Sequence, residues 1–357
     1  MIKKIISTIK FVLINLMVLL FMLFLVNIFA GYYLKWTKDP ARSALPNYSG
    51  NEKMARQVFA EYNQQSFKYE AFTGWRNKPY KGTYTHVNED GLRYYPKASF
   101  SDSISNSLRL FGGSTMWGEG SPDSLTIAAL IQEEFPNARV FNHGQLAYNS
   151  RQNLEALISL INTDEEIGDV VFYDGVNDAS FLCPSDVSVP GHRLSPIFNK
   201  KIYGGNKVFA LEFFHKIFLD KTILLIQKIT KPDTDVLYDC DSNPEKVQAI
   251  ADFMISNWKL AHEIVTARGG DFIAVLQPIA FVGSPNTSHL KLGQEMDKNV
   301  QLVYEAFAKR IREEDLKWVY LMTDAFDGEE FIYIDFCHVS PNGNIIIADR
   351  IEELIAN

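Results

Sequence analysis

The sequence predicts a three-layer α/β/α sandwich around a mostly parallel sheet, preceded by one N-terminal transmembrane helix. Three observations predict it. From Ser107 to the C-terminus, short apolar runs alternate with amphipathic stretches of ten or more residues. That alternation builds a parallel sheet covered on both faces, with strands apolar along their whole length. The third observation is the run FVLINLMVLLFMLFLVNIFAGYYL, Phe11 to Leu34, which carries no charge and exceeds the roughly 20 residues that cross a bilayer.

Residues 1–10 are a short basic N-terminus with Lys3, Lys4 and Lys10, and residues 11–34 are the expected anchor. Only Asn15 and Asn27 interrupt its apolar character, and Tyr32, Tyr33 and Trp36 suit an interfacial aromatic belt. A cleaved signal peptide has an apolar core of about 7–15 residues. This core is longer and no small-x-small site follows it, so the anchor is expected to stay uncleaved. Lys35, Lys38 and Arg42 follow the span, which leaves the charge bias weak. A short basic N-terminus is usually held inside, so the bulk of the chain is expected outside the cytoplasm, on the periplasmic or cell-surface side.

Residues 35–106 read as a linker and N-terminal extension. Pro40, Pro46 and Asn47 predict extended chain just after the membrane, and NEDGLRYYP predicts a turn at Asp90-Gly91 followed by a short strand. Residues 107–357 form the main domain. SLRLFGG, ARVFNHG, DVVFYDG, DFIAVLQP and LKWVYLM are its strands. SLTIAALIQEEF, NLEALISLINT, the stretch from Lys246 to Gly270, QLVYEAFAKRIREED and NGNIIIADRIEELI are its helices. Residues 181–243 break the rhythm with VFALEFFHKIFLDKTILLIQKI, which is expected to be a core-packed helical cap. A lid, or a surface that touches the membrane, is the alternative.

The formal charge is -8 over 357 residues, without a basic stripe, which argues against a nucleic-acid binder. Cys183, Cys240 and Cys337 show neither a disulfide framework nor zinc spacing. Cys183 and Cys240 could pair across the insertion in an oxidising compartment. Separate small buried hydrophobes are the expectation. His86, His143, His192, His215, His262 and His289 lack ligand spacing, so no metal or other cofactor is expected.

Functional groups gather at the carboxyl ends of strands in open parallel sheets. Those ends carry Gly112-Gly113-Ser114, Asn142-His143-Gly144, and Gly175 to Asp178, with Asp335 and His338 near the C-terminus. Acyl transfer needs a hydroxyl nucleophile, a base, a carboxylate to orient the base, and donors for the developing oxyanion. Ser114, His338 and Asp335 supply the first three. The backbone N–H groups of Ser114 and Gly144 and the Asn177 side-chain amide are the expected oxyanion donors. Gly113, His143 and Asp178 are expected on the substrate side, and Cys337 is expected to pack.

In this order the motifs resemble the four blocks of the SGNH hydrolases, the GDSL esterase/lipase family. FGGSTMWG is similar to the first block, FNHGQLAYNSRQ to the second, DGVND to the third and DFCH to the last. The resemblance covers about residues 107–357. Gly113 stands where the family usually has aspartate, as in a bacterial Gly-Gly-Ser-Thr subgroup, and Ala147 stands where another glycine is frequent. The resemblance implies a flavodoxin-like sheet and a membrane-anchored serine esterase. An envelope polysaccharide bearing O-acetyl groups suits that location, and a lipid ester is the alternative. A non-catalytic scaffold would show loss of Ser, His or an oxyanion donor, and none is lost.

Two rival readings fail on spacing. The α/β-hydrolase elbow needs G-x-S-x-G, and Met116 occupies the second glycine position. YDGVNDAS is also similar to the hinge motif of P-type ion pumps, but Asp220-Lys221-Thr222 follows it instead of preceding it, and this sequence offers one span.

Overall fold

The computed structural model describes residues 2–36, 42–101, 106–163, 166–230 and 237–356. The first helix is α1 (Ile2–Trp36), followed by α2 (Glu52–Tyr62). Four short strands come next: β1 (Phe67–Glu70), β2 (Gly74–Asn77), β3 (Tyr80–Lys81) and β4 (His86–Val87). Then come β5 (Asn106–Gly112), α3 (Ser114–Trp117), α4 (Ile127–Glu134), β6 (Ala138–Asn142), α5 (Ser150–Ile161), β7 (Asp169–Asp174) and α6 (Val176–Leu182). The chain continues through α7 (Ser195–Phe218), α8 (Asp220–Thr230), α9 (Pro244–Thr266), β8 (Phe272–Leu276), α10 (Gln294–Glu313), β9 (Val319–Leu321) and α11 (Pro341–Ile355). These elements fall into two compact units. One comprises residues 1–40 and 194–236, the other residues 41–193 and 237–357.

The larger unit is built on a five-stranded sheet of order β6-β5-β7-β8-β9. Every pairing in it is parallel. The second strand lies outside the first, so the winding reverses between β5 and β7, and ligands bind at such a switch point. Side-chain alternation sends Leu108, Leu110, Val171, Tyr173 and Val275 to one face, where Ile127 and Ile131 of α4 and Ile347 and Ile351 of α11 meet them. Phe111, Phe172 and Phe272 line up in tilted and edge-on contacts along the other face, toward α9. Capping fixes the helix starts. The Thr126 side chain accepts from Ala129 N–H, Asn243 accepts from Lys246 N–H, and Asn149 forms a reciprocal capping box with Gln152. The predicted strands and helices of the sheet domain are all present.

Residues 42–101 depart from the expected reading. Pro46 opens a 3-10 turn at Pro46–Tyr48, and another turn covers Arg42–Ala44, so this stretch is not extended; Pro40 lies outside the described residues. The segment folds into the sheet unit because it brings its own apolar groups, such as Tyr48, Ala55 and Phe59, which cluster with Ile334. The turn at Asp90-Gly91 forms, with Gly91 at φ +75°, but the strand after it shrinks to one residue, Arg93, which bridges to Val87 and to Asn142. Cys183 and Cys240 are bonded, with their Cα atoms 5.3 Å apart, instead of packing separately. A local backbone bridge between Pro184 and Tyr238 aligns the two chain segments there.

The smaller unit is helical. It packs α1 with α7 and α8. Ile202, Leu211, Phe213, Leu224, Ile226 and Ile229 are exposed, so α7 and α8 are not the core-packed cap expected of them. Asn27 of α1 joins the two helices. Its Nδ2 donates to Ile217 O at 3.0 Å, and its Oδ1 accepts from Lys221 N–H at 2.7 Å and Thr222 N–H at 3.1 Å. Those groups are the orphan carbonyl and amides of a helix end and a helix start.

Candidate active site

Ser114 is the first residue of α3, immediately past the carboxyl end of β5. Asp335 and His338 lie in the loop after β9, which is pinched shut by the Ile334 N–H to His338 O bond and the Tyr333–Val339 bridge. Ser114 Oγ lies 2.7 Å from His338 Nε2. His338 Nδ1 lies 2.9 and 2.8 Å from the two Asp335 oxygens. Asp335 Oδ1 also accepts from the N–H groups of Cys337 and His338, which fixes the carboxylate in place. Burial pushes the Asp335 carboxyl up, but the His338 charge and these amides outweigh it and hold the group well below the usual carboxylate range. Burial likewise lowers His338, and the Asp335 charge overcomes it, with help from Cys337 and Glu119, so the imidazole is raised well above its ordinary value.

At the end of β7, Asn177 Nδ2 donates to Tyr148 O at 2.6 Å. Gly113 lets this amide approach the serine turn, since a Cβ there would lie 2.3 Å from Asn177 Nδ2 and 3.3 Å from Tyr148 O. Gly113 therefore permits a close backbone approach beside the serine turn.

Gly144 differs from its expected role. Its N–H donates to Asn142 Oδ1 at 2.9 Å, so it is already engaged. A Cβ at Gly144 would come within 2.4 Å of Trp117 N, so glycine is required there for packing against the serine helix. Ala147 instead adopts φ +65°, and among the described residues neither its N–H nor that of Ser114 donates to a protein acceptor. The glycine expected by resemblance at position 147 marks this backbone conformation, and alanine adopts it here.

His143 and Asp178 also differ. His143 is 5% exposed and stacks on Phe111 at 4.6 Å, on the α5–α9 face of the sheet. Asp178 is fully buried and accepts from Ser150 N–H and Oγ–H. Both are internal supports because their polar atoms face the protein, not a cleft.

Three charged residues that sequence reasoning missed complete the site. Glu119 is buried, with Oε2 3.2 Å from His338 Nε2. Arg42 lies 2.6 Å from Glu119 Oε1 and 3.1 Å from Asp335 Oδ2. Arg93 is buried over the Trp117 ring at 4.3 Å and donates to Gly118 O and Ser121 O at 2.7 Å each, with a further bond to Asp123 at 2.9 Å. It pins the loop that carries Glu119. Glu119 lies one residue past the FGGSTMWG block, and Arg42 lies 293 residues from Asp335 and carried no local signal.

Asp335, Cys337 and His338 bring potential metal-ligating atoms within 4.8 Å of one another. The His338 Nδ1 and Asp335 oxygens are already bonded together, and burial pushes the Cys337 thiol up to about 11. This corner is therefore a hydrogen-bonded acid–base pair with a neutral thiol packed beside it.

No protein-family model matches the chain, and no curated protein matches it. Solved structures are similar over about seven-tenths of the chain. A member of the lipolytic protein G-D-S-L family from Veillonella parvula is 10% identical, covering 71% of this chain and 100% of its own, with a TM-score of 0.39. A carbohydrate acetylesterase family member from Sinorhizobium meliloti is 12% identical over 70% of this chain and 97% of its own, with a TM-score of 0.35. An α/β hydrolase enzyme from the metagenome of Lake Arreo, Spain, is 14% identical over 71% and 95%, with a TM-score of 0.38. At such scores the fold is read from the sheet order itself.

Proposed function

We propose that the chain is a membrane-anchored serine esterase. The observation that carries this reading is the Ser114–His338–Asp335 hydrogen-bonded line at the switch point of the sheet. Ser114 Oγ attacks an ester carbonyl while His338 Nε2 takes its proton. Asp335 holds the Nδ1–H tautomer and stabilises the imidazolium. The Ser114 and Ala147 N–H groups and the Asn177 amide receive the oxyanion, with Ala147 replacing Gly144 in that role. His338 then protonates the leaving alcohol. Water, deprotonated by His338, attacks the acyl-enzyme and releases the acid and Ser114. An alcohol in place of that water would make the same site an acyl transferase.

The membrane reading rests on α1, whose segment Lys4–Leu34 contains an 18-residue stretch of mean hydropathy 2.8 that is almost wholly exposed. About 30 Å of hydrocarbon needs roughly 20 helical residues, so this segment has length to spare. Because α7 and α8 pack on α1, their exposed apolar side chains read as part of the membrane seat. The Cys183–Cys240 disulfide supports an extracytoplasmic, oxidising location. In an envelope, O-acetyl groups on a polysaccharide are the substrate class we favour.

The test is labelling of the full chain in detergent by a fluorophosphonate probe, with Ser114→Ala as control. Labelling of the parent and none of the variant establishes an activated serine. A well-folded parent that stays unlabelled overturns the esterase reading.

A further inference from the structure

We propose that Glu119 is a positioning carboxylate that acts on the Nε2 side of His338, and that Arg42 sets how strongly it acts. The inference rests on Ser114, His338 and Asp335 working as a triad. A triad histidine needs one carboxylate, on Nδ1. Here a second, from Glu119, stands 3.2 Å from Nε2, beside the 2.7 Å contact to Ser114 Oγ. Its side chain is 3% exposed, so water screens it little.

The chemistry of that contact changes during the reaction. In a neutral imidazole with its proton on Nδ1, the Nε2 lone pair faces the Glu119 oxygen with no hydrogen between them. Once Nε2 has taken the serine proton, the new N–H can be shared between Ser114 Oγ and Glu119. The contact is therefore favourable only on the imidazolium side of the proton transfer, where the oxyanion also forms. Glu119 strengthens the base and raises the pH at which the base becomes free.

Arg42 opposes this charge. One guanidinium nitrogen reaches both Glu119 and Asp335, so it holds the two carboxylates that flank the ring. The other groups facing His338 are Cys337 beside it, and Tyr62 of α2 near Glu119. Tyr48 lies in the field of Arg42, Asp335 and Glu119, and its hydroxyl is bonded to Gly120 O. Burial raises both tyrosine hydroxyls, so they stay neutral while His338 titrates.

The experiment measures two quantities on the full chain in nanodiscs. One is the pH dependence of the Ser114 labelling rate by fluorophosphonate. The other is the His338 titration by imidazole NMR, which needs no turnover. Glu119→Gln keeps the shape and removes the charge. It should move the acid limb and the His338 midpoint down by roughly one pH unit, with a several-fold lower rate at the plateau. Arg42→Met should move both the opposite way, and Arg42→Lys should bring them back toward the parent. Opposite shifts support the inference, because a merely structural loss would slow both variants without moving the midpoint in opposite directions. A His338 midpoint unchanged in Glu119→Gln, or moved the same way in both variants, overturns it. Should Glu119→Gln fail to fold, the Arg42→Met and Arg42→Lys pair carries the same sign test. A parent that does not label, yet shows the opposite NMR shifts, would sink the esterase reading and leave the positioning role standing.

Discussion

The two units of this chain place their large apolar side chains in opposite ways. In the sheet unit, large apolar side chains such as Phe111, Phe172, Trp258 and Ile351 are buried, and the charged site residues gather at one edge. In the helical unit, Phe11, Met17, Phe29, Leu211 and Phe213 face outward, and the polar side chain that is buried, Asn27, is occupied by helix-end backbone groups. Burial of apolar area drives the first arrangement in water. Lipid removes that drive, and hydrogen-bond satisfaction of every backbone group becomes the stricter requirement. The same residue types therefore point in opposite directions in the two units, the contrast that the proposed membrane seat of the helical unit calls for.

The disulfide gives the largest expected effect on the sheet unit. It closes a loop of sequence separation 57, for which the chain-entropy account gives about 4 kcal/mol at 25 °C. Reduction, or Cys183→Ser with Cys240→Ser, should lower the denaturation midpoint accordingly; an unchanged midpoint would break the claim that the two segments are tied together. Within the site, Asn177→Ala should cost on the order of 10²–10³ in turnover with the fold kept. A near-normal rate would remove Asn177 from the oxyanion site.

The buried acids make a smaller, pH-dependent contribution. Burial raises Asp178 to about 6, and burial with the Asp178 charge raises Asp174 well above its ordinary value. The folded state thus keeps protons that the unfolded chain releases near pH 4. It binds more protons than the unfolded state between about 4 and 6, so these groups withdraw stability as pH rises through that window. Asp178→Asn should flatten that part of the Tm-versus-pH curve, and an identical slope in the variant would refute the assignment. The smallest effect is expected in the helical unit. Asn27→Leu should cost about 1 kcal/mol and speed amide exchange at Lys221 and Thr222, while Ser114 labelling stays within twofold. Unchanged exchange there would remove the distinction drawn for Asn27.

Much of the sheet unit was legible because its information is local. Continuous apolar runs such as DVVFYD can be read as doubly covered strands, and a strand's carboxyl end announces its own candidate residues, as with Ser114 and Asn177. His143 misled because a strand-end position fixes where a residue lies along the chain but not which face its side chain takes. Gly144 misled because an N–H available in sequence can be consumed by a neighbour, here Asn142. The outward apolar face of α7 and α8 was hidden because an apolar run reads the same in a core and against lipid.

The sequence by itself determined the alternation of strands and helices, the apolar N-terminal segment, and the order of Ser114, Asn177, Asp335 and His338, since each depends on residue type and short spacing. Only the tertiary structure decided the Cys183–Cys240 bond and the convergence of Arg42 and Glu119 on the His338–Asp335 pair. Those are long-range pairings, fixed by how the sheet order and the packing of residues 42–101 bring distant segments together, and no local pattern encodes them.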